Sequence, residues 1–413
     1  MKVVVIGGGA AGFFGAITCA QENPQAQVLL LEKTSKLLSK VRVSGGGRCN
    51  VTHHCFVPSM LAQNYPRGSK KLKEAFKTFG AGETIEWFKQ RGVQLKTEPD
   101  GRMFPVSNSS ETIVDCLLQE ASKSGVKIKT SASVEEIEVL TRKDGITEFK
   151  LYLNNNSTIL ANKILICTGG NPKSAAYDWL RALGHAVQEP VPSLFTFNVP
   201  GSALKELQGV SVPKARVRVA GQKLEYEGPL LITHWGYSGP AVLKLSAWGA
   251  RLLHEQNYNF TALINWIPDF SEESLREHLQ NYRQAHPKKL VATNPLFGIP
   301  QRLWKALTKL AEVAEEIRWA ELPAKNTNKL IEALIRAPFE VQGKTTFKEE
   351  FVTCGGIDLS QVEMRTMESR IQSGVYFAGE VLDIDGITGG FNFQAAWTTG
   401  FLAGSAMAKA LSE

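Results

Sequence analysis

Short apolar runs and helical spacing alternate through the first third of the chain. Lys2–Ile6 is a brief Val/Ile run that stops at glycines, which predicts a strand. Gly9 to about Glu22 predicts a helix closed by Asn23-Pro24, and Gln27–Leu31 predicts a second strand. Apolar strands joined by a helix imply a parallel sheet buried on both faces. Thr34 to Thr52 reads as a long Gly-rich loop. Helical patterns follow near Ser69–Phe79, Ala81–Arg91 and Ser110–Ser122, the last with Ile113, Val114, Leu117, Leu118 and Ala121 at helical spacing. Val126–Thr130, Val134–Leu140, Glu148–Leu153 and Lys163–Cys167 read as strands.

The pattern changes near Glu189-Pro190-Val191-Pro192. Short strands alternate with turn residues to about Ile232, as in a small β-barrel or sandwich. Gly239-Pro240 opens a helix to about His254, and Ser271 looks like an N-cap followed by Glu272 and Glu273 in the first turn. Helical text then runs to about Arg336, broken at Pro287, Pro295, Pro300 and Pro323. Strand text returns from Phe339 to Thr353 and at Val375–Ala378, and a helix rich in small residues spans about Gly390–Leu411. Sheet-forming text at both ends with foreign text between them implies an inserted domain. The first and last segments then close one sheet.

Composition narrows the class. The 413 residues are 43% hydrophobic and 21% charged, which argues against collagenous, disordered or disulfide-scaffold proteins. No stretch approaches the roughly 20 apolar residues of a spanning helix, and no leader pattern precedes the first strand, so no membrane association is expected. Six scattered cysteines without a C-x-x-C pair fit free thiols in a reducing cytoplasm. Glu380, Asp383 and Asp385 lack metal-ligand spacing, so no metal is expected. The net charge of +7 is spread over 47 basic and 40 acidic residues. The richest basic stretch, Arg67 to Lys96, interleaves glutamates and reads as the wet face of helices. A nucleic-acid partner is therefore not expected.

Gly7-Gly8-Gly9-Ala10-Ala11-Gly12 is G-x-G-x-x-G between a strand and a helix. Gly7 permits the tight turn, Gly9 lets the backbone approach a pyrophosphate at the helix N-terminus, and Gly12 lets helix and strand pack closely. Glu32 follows the second strand, where a carboxylate accepts hydrogen bonds from a ribose diol. Two features favour FAD over NAD. The chain carries one such fingerprint and returns to the sheet at Val375–Ala378, ending in Gly379-Glu380, an acid suited to ribityl hydroxyls. Gly389-Gly390-Phe391-Asn392-Phe393 then opens the last helix, whose N–H groups suit the flavin edge that gains negative charge on reduction.

With Ser44-Gly45-Gly46-Gly47-Arg48-Cys49-Asn50-Val51-Thr52, Phe104-Pro105-Val106, Thr233–Pro240, Thr353–Gly356, Thr366–Ser369 and Gly379–Asn392, the chain resembles the BaiN/YhiN-like family of bacterial flavoproteins nearly end to end. The resemblance implies an α/β protein: a Rossmann-like FAD-binding domain with a parallel sheet, interrupted by an inserted β-barrel and a small helical bundle. The expected segments are 1–190 (FAD domain), 191–260 (barrel), 261–337 (helical domain), 338–350 (return strand of the barrel) and 351–413 (FAD domain). Beyond the residues already named, Lys33, Ser44, Gly45, Gly46, Arg48, Asn50, Val134, Thr168, Gly169 and Gly170 are candidate FAD contacts. The stretch Asn171–Ala176 is shorter than in the family, and no cofactor role is assigned to it.

The chemistry expected is reduction of a small conjugated organic molecule by an FAD-dependent oxidoreductase. The reductant is NAD(P)H or another donor; NAD(P)H, having no second fingerprint of its own, would dock transiently. Cys49 beside Arg48 is a candidate redox thiol, and His234 and Tyr237 are candidate proton donors. The alternatives are a flavin-bound RNA-interacting protein and a flavin redox sensor without turnover.

Overall fold

The computed structural model describes residues 1–141, 147–346 and 352–411. The chain separates into two compact units, Met1–Pro192 with Lys348–Glu413, and Ser193–Phe347.

The first unit is built on a seven-stranded sheet. Its parallel centre runs Val375–Phe377, Lys163–Ile166, Lys2–Ile6, Gln27–Leu31, Lys127–Lys129. Val3, Val4 and Val5 have no exposed surface, as a strand covered on both faces requires. Val362–Glu363 and Glu368–Ser369 add an antiparallel edge. The strand near the end of the chain thus lies in the sheet begun at the start of the chain.

The first helix (Ala10–Glu22) and the last helix (Phe391–Ala410) pack in parallel through glycines. A Cβ on Gly400 would stand 2.6 Å from the Ala11 carbonyl oxygen, and one on Gly404 would stand 2.4 Å from that of Gly15. Only backbones without side chains come this close. Phe14 fixes the angle from the other side, its ring 4.5 Å from Trp87 and 5.3 Å from Trp397.

The stretch expected to be a loop from Thr34 to Thr52 contains helical structure recorded over Ser39–Gly47, interrupted at Ser44, Gly45 and Gly46. Leu38 and Val41 are buried and anchor this turn, which the density of glycines obscures in the sequence.

The second unit holds another seven-stranded sheet, in the order Ala337–Gln342, Asn259–Asn265, Ser211–Val219, Glu225–Ile232, Gly236–Ser238, Thr196–Asn198, Lys344–Thr345. The first and last strands in this order are separated only by Gly343, at φ +89°. One bent segment therefore meets both edges of the sheet, which gives it a barrel-like closure. Residues 347–350 of the expected return strand lie outside the described residues.

Helices Glu272–Ala285, Gln301–Leu310 and Ala324–Ile335 differ from the separate helical domain expected. Leu275, Leu303, Trp304 and Leu334 share one core with Val217, Ile264 and Phe339 of the sheet. The apolar face of each helix is buried against that sheet, so no second core forms. Ser271 caps the first of these helices, accepting from the Ser274 N–H at 3.1 Å.

Candidate cofactor site

The head of the first helix is shaped by three glycines with different tasks. Gly7 has φ +122°, and a Cβ there would stand 2.3 Å from the Cys167 carbonyl oxygen. A Cβ on Gly12 would stand 1.9 Å from the Gly7 carbonyl oxygen. Nothing lies within 4 Å of the corresponding point on Gly9. The turn is thus closed on the protein side and open beside the helix N-terminus, where N–H groups and the dipole favour an anion. The Glu32 carboxylate spans the turn, accepting from the Gly8 N–H at 2.9 Å and the Thr34 N–H at 2.8 Å. Lys33 is exposed beside it. The segment leading to Val134 also belongs here: the Ala132 N–H donates to the Glu32 carbonyl oxygen, and Val134 itself is half-buried.

The last helix begins further along the same direction. Ala11 lies level with Gly400, but the last helix starts at Phe391, whereas the first starts at Ala10. At 1.5 Å per residue its head projects about 12 Å beyond that of the first helix. The two helix heads thus face the same way, offset along the helix direction by a distance that suits the diphosphate and the flavin ring of an extended dinucleotide.

The second head is assembled by distant residues. With its amide oriented to satisfy both neighbours, Asn50 donates to the Thr52 carbonyl oxygen at 3.1 Å and accepts from the Gly390 N–H at 2.9 Å. The Thr52 hydroxyl donates to the Gln394 side-chain oxygen at 2.6 Å. The His53 ring stacks on Phe391 at 4.6 Å, and its Nδ1 is 3.0 Å from the Gly389 carbonyl oxygen. The Tyr65 hydroxyl donates to the Phe391 carbonyl oxygen at 2.6 Å. Asn392 closes the preceding loop by accepting from the Gly386 N–H at 2.8 Å and donating to its carbonyl oxygen at 3.0 Å. Arg67 forks onto the fully buried Asp385 carboxylate just before that loop. Phe393 stacks on Trp397 at 5.7 Å.

Glu380 lies beside Thr168-Gly169-Gly170. A Cβ on Gly170 would stand 2.8 Å from Glu380 Oε1 and 2.4 Å from Thr353 Oγ1. Glu380 accepts from the Thr353 N–H at 2.8 Å and from Lys40 Nζ at 2.7 Å. Among the described residues, the buried Thr353 hydroxyl has no hydrogen-bond partner. An orphaned hydroxyl next to a carboxylate, near Gly169 with nothing within 4 Å of its Cβ position, suits a ligand rich in hydroxyls and phosphates. The residues present therefore fit an extended flavin dinucleotide. Sequence reasoning missed Thr353, His53 and the Arg67–Asp385 pair, and Asp385 drew notice only as a metal candidate. No local signal joins them to the site.

The Gly-rich loop differs in part from its expected form. Gly46 and Gly47 have nothing within 4 Å of a Cβ position, so a ligand can approach their backbone. The Ser44 hydroxyl donates to the Val41 carbonyl oxygen, and Gly45 packs its backbone on Phe104. Arg48 pairs with Glu98 at 3.1 Å and lies 4.0 Å over the Phe104 ring, so its charge is already largely matched within the protein.

Two catalytic expectations are corrected. Cys49 is fully buried, and burial pushes its thiol up to about 12, against a smaller lowering by Ser44. The thiolate that redox or nucleophilic chemistry needs is suppressed there. Tyr237 is also buried, packed 5.0 Å from Phe339 with its hydroxyl 3.2 Å from that of Ser202, and burial raises its phenol well above the ordinary value. It is a core residue of the second unit. His234 is exposed, with its ring 4.2 Å from Trp235.

The family model of the HI0933-like protein Rossmann domain matches residues 1–406. The chain belongs to the HI0933-like family of FAD-binding oxidoreductases. It is 29% identical over 416 residues to a 3-dehydro-bile acid delta(4,6)-reductase of Clostridium scindens, covering 99% of each chain. It is 31% identical over 405 residues to a ribosomal RNA dihydrouridine synthase of Escherichia coli, covering 96% of this chain and 95% of the other. A protein of the same description from Haemophilus influenzae is 28% identical over 409 residues, 96% of each. The 3-ketosteroid delta1-dehydrogenase of Sterolibacterium denitrificans shares the fold, with a TM-score of 0.52 at 13% identity over 99% of each chain. The expectation of no nucleic-acid partner does not stand, because two of these relatives are named for ribosomal RNA. Among the described residues, no helix is long and apolar enough to cross a membrane.

Proposed function

We propose that this HI0933-like protein is an FAD-dependent ene-reductase that saturates a carbon–carbon double bond conjugated with a carbonyl, and that its substrate is uridine in RNA. One observation carries the reaction class. Two relatives at about 30% identity along nearly the whole chain bear names that describe the same bond change on different molecules. Making dihydrouridine saturates C5=C6 beside the C4 carbonyl, and a delta(4,6)-reductase saturates double bonds conjugated with a 3-oxo group. The uridine bond and the Δ4 bond need a hydride at the β-carbon and a proton at the α-carbon, and the Δ6 bond needs the same pair at the vinylogous δ- and γ-carbons. RNA is favoured over a steroid because two relatives covering nearly the whole chain are named for ribosomal RNA, and a net charge of +7 is compatible with a polyanion.

FAD, when bound, supplies the hydride chemistry, and NAD(P)H is the proposed source of electrons. The head of the first helix would hold the diphosphate over Gly9, and Glu32 would accept the ribose hydroxyls. Glu380 and Thr353 would take the ribityl chain. The head of the last helix would place N–H groups and the positive end of its dipole where negative charge develops.

The test is to incubate the purified holoprotein with unmodified ribosomal RNA and NADPH, then digest the RNA and weigh its nucleosides. A nucleoside two mass units heavier than uridine is expected. Its absence, together with reduction of a conjugated 3-oxo steroid, would move the substrate to the steroid class. Failure with both would remove the ene-reductase reading.

A further inference from the structure

The lysines between Arg67 and Lys96 look, in sequence, like an ordinary wet helix face. The structure sets them beside something less ordinary. His53 is fastened to the head of the last helix through Gly389 and Phe391. The chain then leaves the interior, and Phe56, Val57 and Met60 are 53%, 50% and 56% exposed. Three large apolar side chains within five residues are an exposed patch, not scattered singles. His54 meets Phe56 edge-on at 4.5 Å, and the Phe56 ring lies 4.0 Å from the Cβ position of Gly82, over the start of helix Ala81–Lys89.

The short helix carrying Met60, Pro58–Ala62, packs on helix Ser69–Thr78. That second helix buries Leu72, Ala75 and Phe76 and turns Lys70, Lys71, Lys73 and Lys77 outward. Its one acid, Glu74, accepts from Lys77 Nζ at 2.9 Å. Lys77 first, then Lys73 and Arg365, hold the Glu74 carboxyl below the ordinary range. Among the described residues, Lys70, Lys71 and Lys73 have no carboxylate within ion-pair distance.

We infer that this surface docks an unstacked stretch of RNA, with the four lysines taking phosphates and Phe56 offering its face to a base. Charge complementarity selects a polyanion. The exposed aromatic ring selects single-stranded or loop nucleotides, whose bases are free to stack. The patch continues directly from the head of the last helix, the end assigned above to the flavin ring. The inference rests on the RNA reading of the function and gives that reading a binding face.

The experiment is fluorescence anisotropy of the FAD-loaded protein with a labelled hairpin RNA carrying a uridine-rich loop, across a salt series. One variant carries Lys70→Gln, Lys71→Gln, Lys73→Gln and Lys77→Gln together, and another is Phe56→Ala. Flavin absorbance per protein serves as the folding check for both. The lysine variant is expected to bind at least about tenfold more weakly and to flatten the log affinity against log salt slope by about 3, as four lost phosphate contacts to a single strand imply. Phe56→Ala is expected to weaken binding about fivefold or more while keeping the wild-type slope, because stacking carries no counterions. Wild-type affinity and slope in the lysine variant would overturn the docking surface, and dihydrouridine formation by the same variant would show the substrate reading intact. Self-association that disappears in Phe56→Ala, with RNA affinity unchanged, would reassign the patch to a contact between two copies of this chain and overturn the proposal. A wild-type protein that does not bind the hairpin would also overturn it, while steroid reduction by that protein would leave the ene-reductase chemistry standing.

Discussion

The two helix heads solve opposite problems. At the first, the protein fills the inner side of the turn with its own backbone and leaves the outer side empty beside Gly9. At the second, the protein crowds the turn itself. A Cβ on Gly390 would stand 2.6 Å from the Thr52 carbonyl oxygen, and one on Gly389 would stand 2.7 Å from the Phe391 ring. The first head is a local device that waits for an anion. The second is a junction of three chain segments whose shape is set by the protein. A substitution at the first head should therefore separate folding from cofactor retention, whereas one at the second should disturb both.

The sharpest form of that contrast lies within the first head. Gly12→Ala puts a methyl group 1.9 Å from the Gly7 carbonyl oxygen, with no flexible atom to give way. It is expected to cost more than about 4 kcal/mol, the range reached only by severe core damage. Gly9→Val meets nothing, and Gly9 already has extended backbone at φ −95° and ψ −170°. Its apoprotein should lose no more than about 1 kcal/mol, the cost of valine in place of glycine at a helix N-cap, yet lose flavin, because the side chain fills the space left for a diphosphate. Urea midpoints and flavin absorbance read both variants. A folded Gly9→Val protein with full flavin would end the assignment of this turn.

At the second head, Asp385→Ala leaves the Arg67 guanidinium buried without its carboxylate. Loss of one partner of a buried pair costs about 3–5 kcal/mol. The urea midpoint should fall and flavin should bind more weakly in the protein that still folds. Normal flavin affinity in that variant would show that the second head tolerates disorder, and the contrast between the heads would collapse.

These two heads also mark what was legible in the sequence. The strand, turn, helix and Glu32 of the first lie within one short stretch, so residue type and spacing suffice to read it. The second joins Thr52 to Gln394 and Arg67 to Asp385, pairs separated by 342 and 318 residues. Neither partner carries a mark that names the other, and a resemblance to a family points to the block without its wiring. Packing was equally hidden at the helices of 272–335. Their apolar spacing was plain, but the surface they cover was not, so they read as a domain of their own.

A control away from both heads sharpens the comparison. His185 is buried with Nε2 2.7 Å from the Ser369 hydroxyl and its ring 4.9 Å from Phe377. Burial lowers its pKa, against a smaller rise from a backbone bond at Leu180. The folded protein keeps this ring neutral at a pH where the unfolded chain has begun to take up a proton, near 6.5. Its contribution to stability is thus present above about pH 6.5 and declines as pH falls below that value, by at most about 1.4 kcal/mol per pH unit. In His185→Gln, the urea midpoint should lose that part of its acid sensitivity, with flavin content unchanged. An identical pH profile in wild type and variant would remove the linkage.

The smallest effect is expected at Cys49, which lies in the Gly-rich loop leading into the second head. The thiol is fully buried, and burial pushes its pKa up to about 12, so it is almost wholly protonated at neutral pH. A protonated, inaccessible sulfur neither attacks a substrate nor exchanges with a disulfide. Its backbone adopts φ +58°, a left-handed conformation that alanine shares with the same strain. Cys49→Ala therefore removes only a small packed atom, costing about 1 kcal/mol. Turnover with NADPH should stay within about twofold of wild type, since no thiol pKa enters the rate. A loss of a hundredfold with normal flavin content would mean that the loop opens during turnover to expose the sulfur. It would also mean that the second head is less rigid than its hydrogen bonds require.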